Sequence, residues 1–353
     1  LDHLAACWLA DALLVQPVTY PLGLSATLGR SRAELDGTLA WPLTAGGLDM
    51  TVSLTSQNLD LSALGPVTGR LTGTAEGRLQ GGSLGEILAS SRLDLKGELT
   101  QLRLPQLGER MPRAAFDAQL QPGTELPLRA KLTGTVEGKP LELRAEGGAV
   151  GDLSGRADYP VHLSAMMDQT KADARGTVAW PLDRNGLHVT LSVAGPDPSE
   201  VLRLLELPEI TLPPYDLRAQ LQRDGAAWRL KGLSGRVGDS DVAGDIAVDL
   251  GGERPKVDGS LHSKVLDLDD LLGLVGAEPG TGPGETASGK QKAEARTKAK
   301  DDEVLPDQRF DPESWRALDI VIGLKADQVK AGILPMDSFD LKVALKNGRL
   351  NVD

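Results

Sequence analysis

Four histidines, one cysteine and scattered acidic pairs are the groups from which this 353-residue chain would have to build catalysis or metal binding. His3, His162, His188 and His262 stand far apart, and Cys7 has no second cysteine, so no HExxH, CxxC or disulfide framework exists. His162 in "YPVHLSA" and His188 in "LHVTLSV" occupy polar positions of alternating segments. "GGSLG" from Gly81 has the GxSxG spacing of a nucleophile elbow, with Ser83 in the nucleophile's place. An elbow needs a buried strand ahead of it, whereas "TAEGRLQ" is polar and broken by glycine. Ser83 therefore reads as the cap of a short helix over "EILAS". "GETASGK" from Gly284 approaches a phosphate loop, but Gln291 stands where Ser or Thr is required. "DLDD" from Asp267 lacks the central Gly and terminal Glu of a calcium loop, and reads as charge on solvated faces and helix starts. No metal, no cofactor and no enzymatic activity are expected.

Composition narrows the classes further. The net charge is −12 and the pI near 4.9, so the field of the whole molecule repels nucleic acid, and no nucleic-acid partner is expected. Aromatic residues are 3% of the chain, too few for stacking clefts, and the apolar surface is aliphatic. "LAACWLADALLV" near the start is apolar over about twelve residues, short of the ~20 that span a bilayer, and is expected to be a buried or interfacial helix. The ends of the chain read as those of a piece of a longer protein.

The elements that would position functional groups are mostly strands. "LDMTVSL" puts Leu48, Met50, Val52 and Leu54 on one side, and "LHVTLSV" does the same with Leu187, Val189, Leu191 and Val193. Similar alternation marks "LDIVIGL" (Ile320, Ile322) and "FDLKVAL" (Leu341, Val343, Leu345). Gly, Asp, Asn and Pro punctuate these runs at short intervals, as in "RDG", "RNG" and "KNG", which predicts an up-and-down antiparallel meander of about twenty-five strands of roughly seven residues. Helix signals are confined to "PDPSEVLRLLE", where Asp197 can cap, to "LDLDDLLGLVG" and to "SLGEILAS". The expected fold is mainly β: an elongated, repetitive antiparallel sheet curled into an open apolar groove, with a few short helices.

The chain also repeats itself. "GTLAWPLTAGGLDMTVSL" from Gly37 and "GTVAWPLDRNGLHVTLSV" from Gly176 agree at ten of eighteen positions, and "LTGTAEG" from Leu71 is echoed by "LTGTVEG" from Leu132. The expected organisation is an unassigned segment 1–24, a first β-repeat region 25–175, a second 176–276, a low-complexity insertion 277–312, and a continuation of the repeat over 313–353. The insertion, rich in Pro, Gly, Lys, Glu and Ala, is expected to be a solvated loop.

Residues 213–272 carry a recognisable cadence. Gly238, Ser240, Gly244, Asp249, Arg254, Pro255, Leu261, Ser263, Leu266, Asp267 and Leu268 fill a "GxSxxxGxxxxDxxxxRPxxxxxLxSxxLDLxxL" pattern, which resembles the AsmA-like family of bacterial envelope proteins. That resemblance implies a periplasmic β-rich protein, anchored to the inner membrane by a segment absent from this chain, with a continuous apolar groove. It further implies a part in moving phospholipid between the inner and outer membranes, in company with membrane or envelope proteins.

Two uses of the aliphatic strands follow. In one, the thirteen alternating residues from Leu48 to Leu345 line a groove for phospholipid acyl chains. In the other, they close into a sandwich core, and exposed strand edges serve a structural or chaperone-like scaffold for outer-membrane protein assembly.

Overall fold

The computed structural model describes residues 18–353 apart from residues 29, 42–46, 65–67, 84–85, 88–89, 104–109, 122–125, 137, 150–157, 180–184, 200–211, 253, 276–280, 283, 299–318 and 331–337. The opening apolar segment, with His3 and Cys7, lies outside the described residues. Contacts divide the chain into two units, Leu1–Pro105 with Glu109–Gly155, and Gln106–Gly108 with Arg156–Asp353.

The first unit holds β1 (Val18–Leu28), β2 (Ser31–Trp41), β3 (Leu48–Asp60), β4 (Thr68–Gly81), β5 (Arg92–Arg103), β6 (Arg110–Leu120), β7 (Leu128–Val136) and β8 (Lys139–Gly147). Each strand pairs antiparallel with the next. The second unit holds β9 (Asp158–Met167), β10 (Thr170–Ala179), β11 (Asn185–Gly195), β12 (Tyr215–Asp224), β13 (Ala227–Val237), β14 (Ser240–Asp249), β15 (Lys256–Asp267), β16 (Asp319–Lys330), β17 (Phe339–Lys346) and β18 (Arg349–Val352). These also pair in chain order. Among the described pairings the first and last strands of each unit do not meet, so the sheet is open rather than closed into a barrel.

The meander is as the alternation predicts, with two corrections. The described residues form eighteen strands, not about twenty-five, because most run between 9 and 14 residues and each uses more chain. One pairing, β15 with β16, is parallel, with Val257 beside Ile320 and Leu261 beside Leu324. A parallel step cannot be made by a hairpin; it needs a long connection back to the starting end of the strand. The compositionally odd stretch 277–312 lies in that connection. Its middle is not a bare loop: α1 (Gly289–Lys298) forms there, capped reciprocally by Ser288 N–H to Gln291 Oε1 at 2.8 Å and Gln291 N–H to Ser288 Oγ at 3.1 Å. Ser288 and Gln291 are both buried.

The sequence repeat coincides with equivalent hairpins, β2–β3 and β10–β11, the second and third strands of each unit. Gly37 pairs with Val52, while its counterpart Gly176 pairs with Val189, a difference of two residues in register. A shift of two keeps every side chain on its face, whereas a shift of one would reverse them all. The 175/176 boundary suggested by the repeat falls within β10, and the division by contacts falls near residue 155.

Other small helical signals are realised as caps. Glu86 N–H donates to Ser83 Oγ at 3.2 Å and Gly82 N–H to Glu86 Oε2 at 2.7 Å, so Ser83 starts a short turn. Ser199 N–H donates to Asp197 Oδ1 at 2.9 Å, and the rest of that predicted helix lies outside the described residues. "LDLDDLLGLVG" forms a 3₁₀ segment over Leu268–Val275.

Candidate functional site

The register of successive strands aligns their alternating residues into rows. In the first unit, Leu24, Leu35, Leu54, Ala75, Leu95, Ala118, Ala130 and Ala145 stand side by side across β1 to β8. In the second, Val161, Gly176, Val189, Leu221, Leu230, Ile246, Gly259, Ile322 and Val343 do so across β9 to β17. The opposite face of the first unit carries rows such as Thr74, Lys96, Asp117, Lys131 and Arg144. Cross-strand ion pairs stitch that polar face, among them Arg78 with Asp49 (2.6 Å) and Lys131 with Glu142 (3.0 Å). Exposed pairs of this kind contribute about 0–1 kcal/mol each.

The apolar rows are poorly covered. Of the thirteen residues the alternation singles out, Val189 and Leu345 are buried and Leu54 is exposed; Leu48, Met50, Val52, Leu187, Leu191, Val193, Ile320, Ile322, Leu341 and Val343 are half-buried. A sandwich core of such residues would be closed to solvent. The structure places Leu48, Met50, Val52 and Leu54 together on β3 in the first unit. In the second unit it joins Ile320 to Leu345 and Ile322 to Val343 across β16 and β17, and sets the four residues of β11 against β10 and β12.

On the apolar face of the second unit there is a concavity of about 240 Å³. Leu191 and Val193 line it, together with Pro198, Leu212, Tyr215, Leu217, Arg218, Ala219, Leu230, Leu233 and Val237. Strand bends shape this region. Register slips between Arg218 and Gln220 on β12 and between Leu230 and Leu233 on β13 mark bulges, which increase local twist and bend the strand. Gly232, within the second slip, adopts φ of 60°, a left-handed conformation that costs glycine nothing, and its N–H donates to Asp245 Oδ1 at 2.7 Å. Next door on β14, a Cβ at Gly244 would lie 2.0 Å from the Ser260 carbonyl oxygen, so only glycine admits β15 so closely. Simple alternation fails on β13 because the slip at Gly232 moves the apolar positions from Trp228 and Leu230 to Leu233, Gly235 and Val237. On β12 the alternation is unbroken, and Tyr215, Leu217, Ala219 and Leu221 in "YDLRAQL" carry the signal that could have found that strand's share of the lining.

The polar candidates fall elsewhere. His162 pairs with Asp173 at 2.7 Å and His262 with Asp327 at 3.0 Å, while His188 is exposed on the polar face. The acidic run is not solvated as its composition suggests. Asp270 is buried and accepts Ser240 Oγ–H (2.6 Å), Ser240 N–H (2.9 Å) and Asp239 N–H (3.0 Å), tying the β13–β14 hairpin to the 3₁₀ segment. Burial pushes its carboxyl above the usual range, against those hydrogen bonds. Asp239 in turn accepts Thr286 N–H (2.9 Å) and Thr286 Oγ1–H (2.7 Å), which hold it below the usual range and anchor the chain leading into α1. Glu285, partly desolvated and facing Asp267, Asp269 and Asp239, is raised. The carboxylates of Asp239, Asp267 and Glu285 lie within 4.8 Å of one another, a grouping that could hold a cation.

The AsmA family model matches residues 24–353. The chain belongs to the AsmA family. It is 26% identical over 229 residues to the AsmA family protein YhjG of Escherichia coli (strain K12), an alignment covering 63% of this chain and 33% of that protein. The chain thus spans about a third of the length of the curated relative it matches. No solved structure matches. AsmA family proteins are associated with the bacterial envelope, and the open strand sheet is in keeping with that assignment. Among the described residues no helix is long and apolar enough to cross a membrane.

Proposed function

We propose that this AsmA family segment shields phospholipid acyl chains on its apolar strand face, in the periplasm, for movement between the inner and outer membranes. The observation that carries the reading is the continuity of half-buried aliphatic rows across consecutive strands, opposite a face that is mainly polar and carries the cross-strand ion pairs. The mechanism needs no catalytic residue. Each methylene taken out of water contributes about 0.8 kcal/mol, and because the attraction is non-directional and similar from strand to strand, a chain can slide without meeting a deep trap. The incomplete burial of the rows favours this reading over a closed core whose function lies in strand edges.

The test is native mass spectrometry of the protein purified from bacterial membranes, followed by lipid extraction. Co-purifying phospholipid is expected, lost in Val52→Asp or Leu191→Asp and retained in Thr190→Asp, which puts the same charge on the polar face of β11. Circular dichroism confirms folding of each variant. Equal lipid content in Leu191→Asp and Thr190→Asp would sink the proposal.

A further inference from the structure

We infer that Arg223, held on the face of Trp228, is an anion anchor on the apolar side of the sheet, reading the phosphate of an amphiphile whose chains occupy the neighbouring aliphatic rows. The inference rests on the groove reading above and adds the headgroup chemistry to it.

The placement of Arg223 is unlike that of the cations on the polar face. The ladder pairs it with Leu187 on β11 and Trp228 on β13, and it stands two residues from Leu221, so it belongs to the apolar face. Its guanidinium carbon lies 4.6 Å from the centre of the Trp228 ring, and both side chains are half-buried. Nε–H donates to the Gly225 carbonyl at 3.1 Å. Among the described residues no carboxylate pairs with Arg223, whereas Arg78, Lys131 and Lys325 each meet one across a strand.

Stacking on the indole and the bond to Gly225 fix the plane of the guanidinium without neutralising it. Among the described residues one of its five N–H donors has a partner, and the two terminal nitrogens keep the fork that matches two oxygens of a phosphate. A fixed, weakly hydrated cation beside aliphatic side chains suits a ligand that is anionic at one end and apolar at the other. It is also the local exception to a chain of net charge −12, whose general field disfavours anions.

Binding of three probes to the full chain decides the matter, by calorimetry with each probe below its micellar concentration. The probes are dihexanoyl phosphatidic acid, dihexanoylglycerol (the same chains without phosphate) and inorganic phosphate. Arg223→Gln is expected to weaken phosphatidic acid binding about tenfold or more while leaving dihexanoylglycerol unchanged, as loss of a charge-assisted bidentate contact would. Arg223→Lys, which keeps the charge but not the planar fork, should fall between, and circular dichroism checks both variants. Equal phosphatidic acid affinity in wild type and Arg223→Gln overturns the anchor and leaves the groove reading standing. Failure of both lipids to bind the wild type removes the groove reading and the anchor together. Inorganic phosphate binding as tightly as phosphatidic acid overturns the amphiphile in favour of a plain anion site.

Discussion

Asp270 shows how much one side chain organises at the end of the second unit. Asp270→Ala would leave Ser240 N–H and Asp239 N–H without their acceptor and Ser240 Oγ–H with only the Asp267 carbonyl at 3.3 Å, and a cost of about 2–4 kcal/mol is expected, read as a fall in the urea midpoint. Asp270→Asn keeps an acceptor and should cost less. It should also flatten the pH dependence: a carboxyl raised by burial holds its proton more tightly folded than unfolded, so its contribution is lost as pH rises from its ordinary value through the raised one. The acidic pair was visible in the sequence, but its burial was not, because the partner that buries it, Ser240, is thirty residues away. The cadence that carries the family resemblance proves to be built of such stitches. Ser240 donates to Asp270, Ser263 is buried beside Asp241, Asp249 accepts Gly251 N–H, and Arg254 reaches Asn347 at 2.7 Å. Those residues specify how the strands are joined and say little about what the apolar face holds.

At the scale of the element, β3, β11, β16 and β17 present the alternating residues read from the sequence on one face, while β12 alternates as strictly but is masked as a short run by the Arg, Gln and Asp between its apolar positions. Legibility ended where a bulge changes parity, as at Gly232, since a period of two counted along the chain cannot show a slip set by a neighbouring strand. Glycine also fixes how closely strands approach. Gly244→Val would force its Cβ into the Ser260 carbonyl, and a loss of several kcal/mol, or failure to fold, is expected in thermal unfolding. The segment entering α1 offers a pH test. Lowering pH first protonates Glu285, raised by desolvation and its acidic neighbours, and relieves repulsion. Lowering it further protonates Asp239, whose depressed carboxyl accepts both Thr286 donors, and that anchor is lost. The protection factor of the Thr286 amide in hydrogen exchange should therefore rise and then collapse as the solution is acidified; a monotonic change would contradict the assigned contacts.

Across the whole molecule, half-covered aliphatic rows imply that the free protein carries apolar surface its ligand would remove from water. A short-chain phospholipid at a hundred times its dissociation constant should raise stability by about 2.7 kcal/mol and displace a hydrophobic dye, measured by thermal shift and fluorescence. No such gain would mean that the rows find their cover elsewhere. The parallel step between β15 and β16 has a consequence in time. Hairpins on either side of it zip over a few residues, whereas β16 must find β15 across a connection of about 50 residues that starts at the far end of the strand. Closing that span costs about 2 kcal/mol more in chain entropy than closing a four-residue turn. The last three strands therefore join late in folding, and until they do, β15 is a bare edge that a stray strand from another chain can claim.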